Sequence, residues 1–231
     1  MSSGKLAWAS LVIGLFGGIG AASAAPCSMA GLAAYQSMGA TACSVGALNF
    51  SGFSVEAFPG TTAQQIAPGD ILVTPIANGF ALSSARSISA SAGELLGLRL
   101  LFGVSAPSLT GATVALGMPN SVSGDGVITA LLGAGSAGNP IAAGNAIAIA
   151  IDGFSDTPVS FASSPFSSYA AFLELGIDGG TFGSASLGPT LASVTFAQAQ
   201  VQAIPEPGTI ALSMLAMAAL LASRRRSTAA A

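Results

Sequence analysis

An all-β fold, an antiparallel β-sandwich or jelly roll, is what this sequence predicts for residues 25–204. Three observations carry the prediction. About nine short runs alternate apolar and polar residues, the period of a strand with one buried face. Turn-forming residues separate the runs, at Pro59-Gly60, Pro68-Gly69-Asp70, Pro119-Asn120, Gly124-Asp125-Gly126, Asp152-Gly153 and Asp178-Gly179-Gly180. No long helical period intervenes, which leaves two packed antiparallel layers as the simplest architecture.

The elements follow in chain order. Met29, Leu32, Tyr35 and Met38 recur every three residues, which predicts a short helix with one apolar side, ended by Gly39. That stripe suits core packing better than a ligand site. Leu48 and Phe50 open a strand whose phase slips at Ser51-Gly52 before Phe53, Val55 and Ala57 resume it. A one-residue slip at glycine predicts a bulge. Residues 71–75 form a short strand. Leu98, Leu100, Phe102 and Val104 alternate cleanly and place Arg99 on the opposite face. Ala112, Val114 and Leu116 repeat the pattern, as do Ile147, Ile149 and Ile151, then Leu173, Leu175 and Ile177, then Val194 and Phe196. Residues 133–145 are rich in Gly, Ala and Asn and read as a long surface loop within a single domain.

Both ends look like export signals. Lys5 precedes an apolar core at 6–19, and Ala22-Ser23-Ala24 is a small-x-small site. This predicts a secretory signal peptide, residues 1–24, cut after Ala24. Cutting one residue later would put Pro26 at the first mature position. An uncleaved anchor is the weaker alternative, because the segment ends in Gly and Ala and has one flanking lysine. In an exported chain the only two cysteines, Cys27 and Cys43, read as a disulfide. Closing about 15 residues stabilises the fold by roughly 3 kcal/mol in the chain-entropy model. A redox or metal pair would need a His ligand or a CxxC spacing, and neither is present.

At the other end, residues 208–223 are 16 uncharged residues, roughly 24 Å as a helix, slightly short of a usual span. Arg224, Arg225 and Arg226 resist transfer across a bilayer, so they stay cytoplasmic and hold the preceding domain outside. Physics alone allows a plain C-terminal anchor. However, Pro205-Glu206-Pro207, an apolar helix and a terminal arginine plug, in that order and spacing, resemble the PEP-CTERM sorting signal of Gram-negative bacteria. The resemblance implies that residues 205–231 are a sorting signal whose Pro205, Glu206 and Pro207 are recognised by a membrane-embedded transpeptidase, the exosortase. It also implies transient residence in the inner membrane, then a place at the cell surface or outside, in association with extracellular polysaccharide. A second stretch, Ala33-Ala34-Tyr35-Gln36-Ser37-Met38-Gly39-Ala40-Thr41-Ala42-Cys43-Ser44-Val45-Gly46 followed by Leu48-Asn49-Phe50-Ser51-Gly52-Phe53, is similar to the start of a group of exported PEP-CTERM proteins. Ala42 departs from the glycine common there, and that resemblance implies no activity.

Composition narrows the chemistry. Residues 25–204 carry Arg86 and Arg99 against eight acids, a net charge of −6, with neither Lys nor His. A nucleic-acid partner needs a basic surface and is disfavoured, as is an anionic lipid surface. Without His there is no Ser-His-Asp or Cys-His arrangement and no histidine zinc site. A glycosidase needs two carboxylates, but most acids here sit in turn sequences. Glu94 and Glu174 are the exceptions, and both are expected to face solvent. Asp125, Asp152, Asp156 and Asp178 lie in predicted loops that suit calcium, yet Asp-Gly is also a turn dipeptide and no EF-hand spacing appears. Sugar stacking wants exposed aromatics. Trp8 leaves with the signal peptide, and Tyr35 and Tyr169 are the only tyrosines. Phe161, Phe166 and Tyr169 cluster in a Pro/Ser-rich stretch, which reads as a loop packed on the core in preference to a binding edge. The expectation is a non-enzymatic exported protein without metal or cofactor. Its alternative is a carbohydrate- or calcium-binding module of the same fold.

Overall fold

The computed structural model describes residues 24–59, 63–136 and 138–199. The expected signal peptide up to Ser23, and the sorting segment with Pro205, Glu206, Pro207, Arg224, Arg225 and Arg226, lie outside the described residues. The chain starts with β1 (Ala25–Pro26), β2 (Ala30–Gly31), helix α1 (Leu32–Ser37), β3 (Cys43–Val45), β4 (Leu48–Glu56) and β5 (Gln64–Gln65). It continues through β6 (Ile71–Ile76), β7 (Gly79–Ser84), β8 (Ile88–Ser91), β9 (Leu95–Leu116), β10 (Asn120–Ser123) and β11 (Val127–Ser136). Last come β12 (Asn139–Ile151), β13 (Phe154–Asp156), β14 (Val159–Asp178), β15 (Ser184–Leu187) and β16 (Thr190–Gln198). The all-β expectation holds. No helix of the described residues is long and apolar enough to cross a membrane, and the apolar segment 208–223 is not among them.

Two long strands organise the fold. β9 and β14 run antiparallel beside each other, with Leu175 opposite Leu98 near one end and Phe161 opposite Ala112 near the other. β4 flanks the first part of β9, with Phe50 opposite Val104, and β16 flanks the last part, with Val194 opposite Val114. β11, β12 and β13 extend the sheet beyond the second part of β14, while β7, β6 and β2 extend it beyond β16. One large, mostly antiparallel sheet thus has two wings sharing a central ribbon. The inner faces of β4, β7, β9 and β16 meet in an aromatic core: Phe80 of β7 lies 5.0 Å from Phe102 of β9 and 5.7 Å from Phe50 of β4, and Phe196 of β16 lies 5.9 Å from Phe50. The arrangement is sandwich-like. A separate small sheet, β10-β15-β8, packs against the large one and adds Ala90, Ala185 and Leu187 to the core.

The expected runs at 98–104 and 112–116 belong to one 22-residue strand, β9. Pro107 is compatible with that continuity because its missing N–H falls in a gap between ladders. The β4 ladder ends at Ser105 and the β16 ladder begins at Leu109. The buried phase slips across the same gap, from Val104 and Ala106 to Leu109, and slips back by Ala112 and Val114. Pro165 sits likewise in a bulge of β14, between Ala162 and Phe166.

The bulge expected in the early strand is present. Ser51 opposes Gly103 and Ser54 opposes Leu101, so β4 carries one extra residue, with Gly52 at φ 64°. Both Phe50 and Phe53 are thereby buried. Helix α1 buries Leu32 and Tyr35, Met38 packs on the core, and Gly39 ends the turn at φ 56°. Met29 is exposed and lies outside the helix.

Two expectations fail. Residues 133–136 and 139–145 are not a surface loop but the facing ends of β11 and β12. Their glycines make room for rings: a Cβ on Gly133 would collide with the Phe172 ring, and one on Gly144 with the Phe161 ring. The second failure concerns faces. Ile147 and Ile151 are 50% and 40% exposed, whereas Ala146, Ala148 and Ala150 are buried. These alanines lie opposite Leu132, Ala130 and Ile128, so β12 meets the core through its smallest side chains.

Candidate functional site

The outer face of β4, β9 and β14 carries a row of three charges. Glu56 lies directly opposite Arg99, and Arg99 directly opposite Glu174. Cross-strand neighbours on one face stand close enough to interact. Arg99 Nε is accordingly 3.4 Å from a carboxylate oxygen of each glutamate. Neither contact is aligned as a hydrogen bond, and Nε is buried without a hydrogen-bond partner. The attraction is therefore charge with charge. The guanidinium carbon also sits 5.4 Å from the centroid of the Phe172 ring, within cation–π range.

Glu174 departs from the solvent-facing expectation, since its side chain is only 16% exposed. Desolvation raises its pKa, and the Arg99 charge offsets part of that rise. Glu94 is exposed as expected, and its carboxylate accepts the Ser91 amide at 2.8 Å. The two contacting carboxylate oxygens around Arg99 can be no farther apart than twice 3.4 Å, so the acids are near enough for paired-carboxylate chemistry to be considered. Here, however, the space between them is filled by a guanidinium. A sugar oxygen cannot reach both acids while Arg99 holds them.

Next to this row lies a groove of about 720 Å³, in the size range of ligand pockets. Gly52, Gly103 and Ala170 contribute small surfaces to it, Ser54, Ser136, Ser167 and Ser168 contribute polar ones, and Arg99 and Phe172 close one end. Phe166 stands at the other end, partly exposed, its ring 5.4 Å from Tyr169. Tyr169 is buried, and its hydroxyl donates to the Leu109 carbonyl at 3.2 Å. The aromatic stretch thus divides. The stretch is not a loop but part of β14; Tyr169 and Phe161 pack inward, and Phe166, the more exposed ring, lines the groove together with Tyr169.

The other sequence-derived candidates are dispersed. Cys27 and Cys43 are bonded to each other, fastening the segment before α1 to β3. Ala24, the expected last residue of the signal peptide, accepts a hydrogen bond from the Ser44 hydroxyl at 3.1 Å. Both oxygens of Asp125 are taken by backbone amides, those of Thr181 and Phe182, each at 2.8 Å. These bonds hold its pKa below the usual carboxylate value. Asp178 accepts the Gly180 amide at 2.8 Å. The turn reading of these two aspartates is met. Among the described residues, no group of three or more His, Cys, Asp or Glu is placed to hold a metal ion. Sequence reasoning missed the Glu56–Arg99–Glu174 row. Arg99 was legible as an outward residue, but its partners depend on strand register, which no local pattern reveals.

Residues 203–226 match the PEP-CTERM protein-sorting motif. The chain therefore carries the exosortase-recognised C-terminal signal, which implies export and transient membrane anchoring. Searches of curated proteins and of solved structures each returned no match to this chain.

Proposed function

We propose that this chain is a non-enzymatic exported protein, sorted by exosortase and then displayed at the cell surface or released. The match at residues 203–226 carries the reading. In this scheme residues 1–24 are removed after Ala24, and residues 25–204 fold outside the inner membrane as a β-sandwich. Residues 208–223 hold the chain in the membrane while Arg224, Arg225 and Arg226 stay cytoplasmic. Exosortase then recognises Pro205, Glu206 and Pro207. A disulfide-bonded domain suits this route, because it needs an oxidising compartment to form. Deleting the exosortase should leave a larger, membrane-retained form. An unchanged mass and location in the deletion strain would defeat the proposal.

A second reading adds extracellular polysaccharide as a partner. The groove supports it, with Phe166 offering a partly exposed ring and the serines offering hydroxyls for hydrogen bonds. With Arg99 flanked by two glutamates, the site favours neutral over anionic sugars. The processed protein should then bind neutral polysaccharides on a glycan array, and Phe166→Ala should weaken that binding about fivefold, the low end of base-stacking losses of comparable rings. No binding to any neutral glycan would remove this partner and leave the sorting proposal standing.

A further inference from the structure

The reversed faces of β12 leave an apolar surface that neither the sorting signal nor the groove explains. Ile147, Ile149 and Ile151 stand on the outer face of β12, beside Leu131, Thr129 and Val127 of β11. Phe154 of β13 lies opposite Ile151 and is 54% exposed, and Ile141 is 51% exposed. No charged residue occurs anywhere between Asp125 and Asp152. The charges come at the margins: Asp156 opposite Ile149 and Asp152 in the turn after β12 on one side, Glu174 and Asp178 of β14 on the other. An uncharged apolar centre with a polar rim is the anatomy of a protein–protein interface.

We propose that this face packs against the same face of a second copy of the chain. Three considerations select that occupant. A polysaccharide needs hydrogen-bonding groups, and Thr129 is the sole side chain that offers one among the six on β11 and β12. An anionic lipid surface is held through basic residues, and β11, β12 and β13 carry none. A second copy presents an uncharged apolar centre to an uncharged apolar centre, and a two-fold axis makes one patch sufficient for both partners. The area agrees. Four roughly half-exposed large side chains and their partly exposed neighbours amount to about 500 Å² per copy, at the upper end of patches found on monomers. Face to face, two copies bury about 1,000 Å², the threshold for a specific association. A hollow of about 340 Å³ beside Phe154, lined also by Asn120, Ser121 and Val122, gives the partner's Phe154 a place to enter.

Cysteine cross-linking in exporting cells tests this with the full chain. Ile147→Cys, Ile149→Cys and Ile151→Cys are made one at a time, with Leu72→Cys as the control on β6, in the other wing of the sheet. At least one of the β12 variants should run as a covalent dimer on a non-reducing gel while the Leu72 variant stays monomeric. Equal cross-linking at Leu72, or none on β12, overturns the proposal. Sedimentation of the processed protein gives an independent reading. The native form should have twice the mass of one chain, and the combination Ile147→Asp with Ile151→Asp, at positions the core does not need, should halve it. A native protein that sediments as a single chain overturns the proposal as well.

Discussion

Arg99 is the residue on which the outer face depends. It pairs with two glutamates, one of them largely covered, and lays its guanidinium against Phe172. Removing one member of a covered ion group leaves the remaining charge without compensation, which costs more than the pair itself contributes. Arg99→Met keeps much of the aliphatic stem and deletes the charge, so it isolates the electrostatic part. We expect a loss of about 1–3 kcal/mol in denaturant unfolding, below the cost at fully buried pairs because Arg99 is partly exposed. Glu174→Gln acts in the opposite sense. Burial already disfavours the ionised carboxylate at this position, so removing its charge should change stability by less than about 1 kcal/mol. Combining the two should recover part of the Arg99→Met loss. A double variant as unstable as the sum of the singles would show that the two charges are not coupled.

At the level of elements, the early chain was legible and the middle was not. Helix α1, its glycine end and the bulge at Gly52 are local features, each written in a few consecutive residues. The disulfide followed from a cysteine count in an exported chain. The long strands were missed because prolines at 107 and 165 look like strand ends. They are tolerated where ladders from different partners leave off and begin. The hairpin of β11 and β12 was missed for a different reason. Gly and Ala signal a loop when read alone, but here they let the Phe172 and Phe161 rings lie against the sheet. Periodicity correctly showed that residues 146–151 alternate. It could not show which phase is buried, because hydrophobicity pointed to the isoleucines while available space selected the alanines. The groove and the charged row are further still from local pattern, since both are assembled from strands distant in sequence and brought together by register.

At the scale of the whole molecule, the absence of histidine has a measurable consequence. Stability changes with pH only where folded and unfolded states bind different numbers of protons. Between about pH 6 and 9, Asp, Glu, Lys, Arg and Tyr scarcely titrate, there is no His, and both cysteines are in a disulfide. The side chains therefore supply almost no slope in that window. Outside it, three groups act with definite signs. Asp125 has a lowered pKa, so the stability it contributes is present above the unfolded value near 4 and is lost as pH falls through the folded one. Glu174 has a raised pKa, so its contribution is present below the unfolded value and is lost as pH rises through the folded one. The two act in different windows, Asp125 below about pH 4 and Glu174 above it, so stability falls on the acid side through Asp125 and is eroded through Glu174 as pH rises from there. Tyr35 is raised by burial, so its contribution is lost as pH climbs beyond about 10, through its folded value. The processed protein should accordingly show a Tm that varies by no more than a few degrees from pH 6 to 9, with loss in strong acid and in strong alkali. A sharp step in Tm near pH 7 would mean that a carboxylate titrates far from its ordinary range, and Glu174→Gln would show whether it is this one. A flat profile suits a protein that leaves the buffered cytoplasm by the route that residues 203–226 specify.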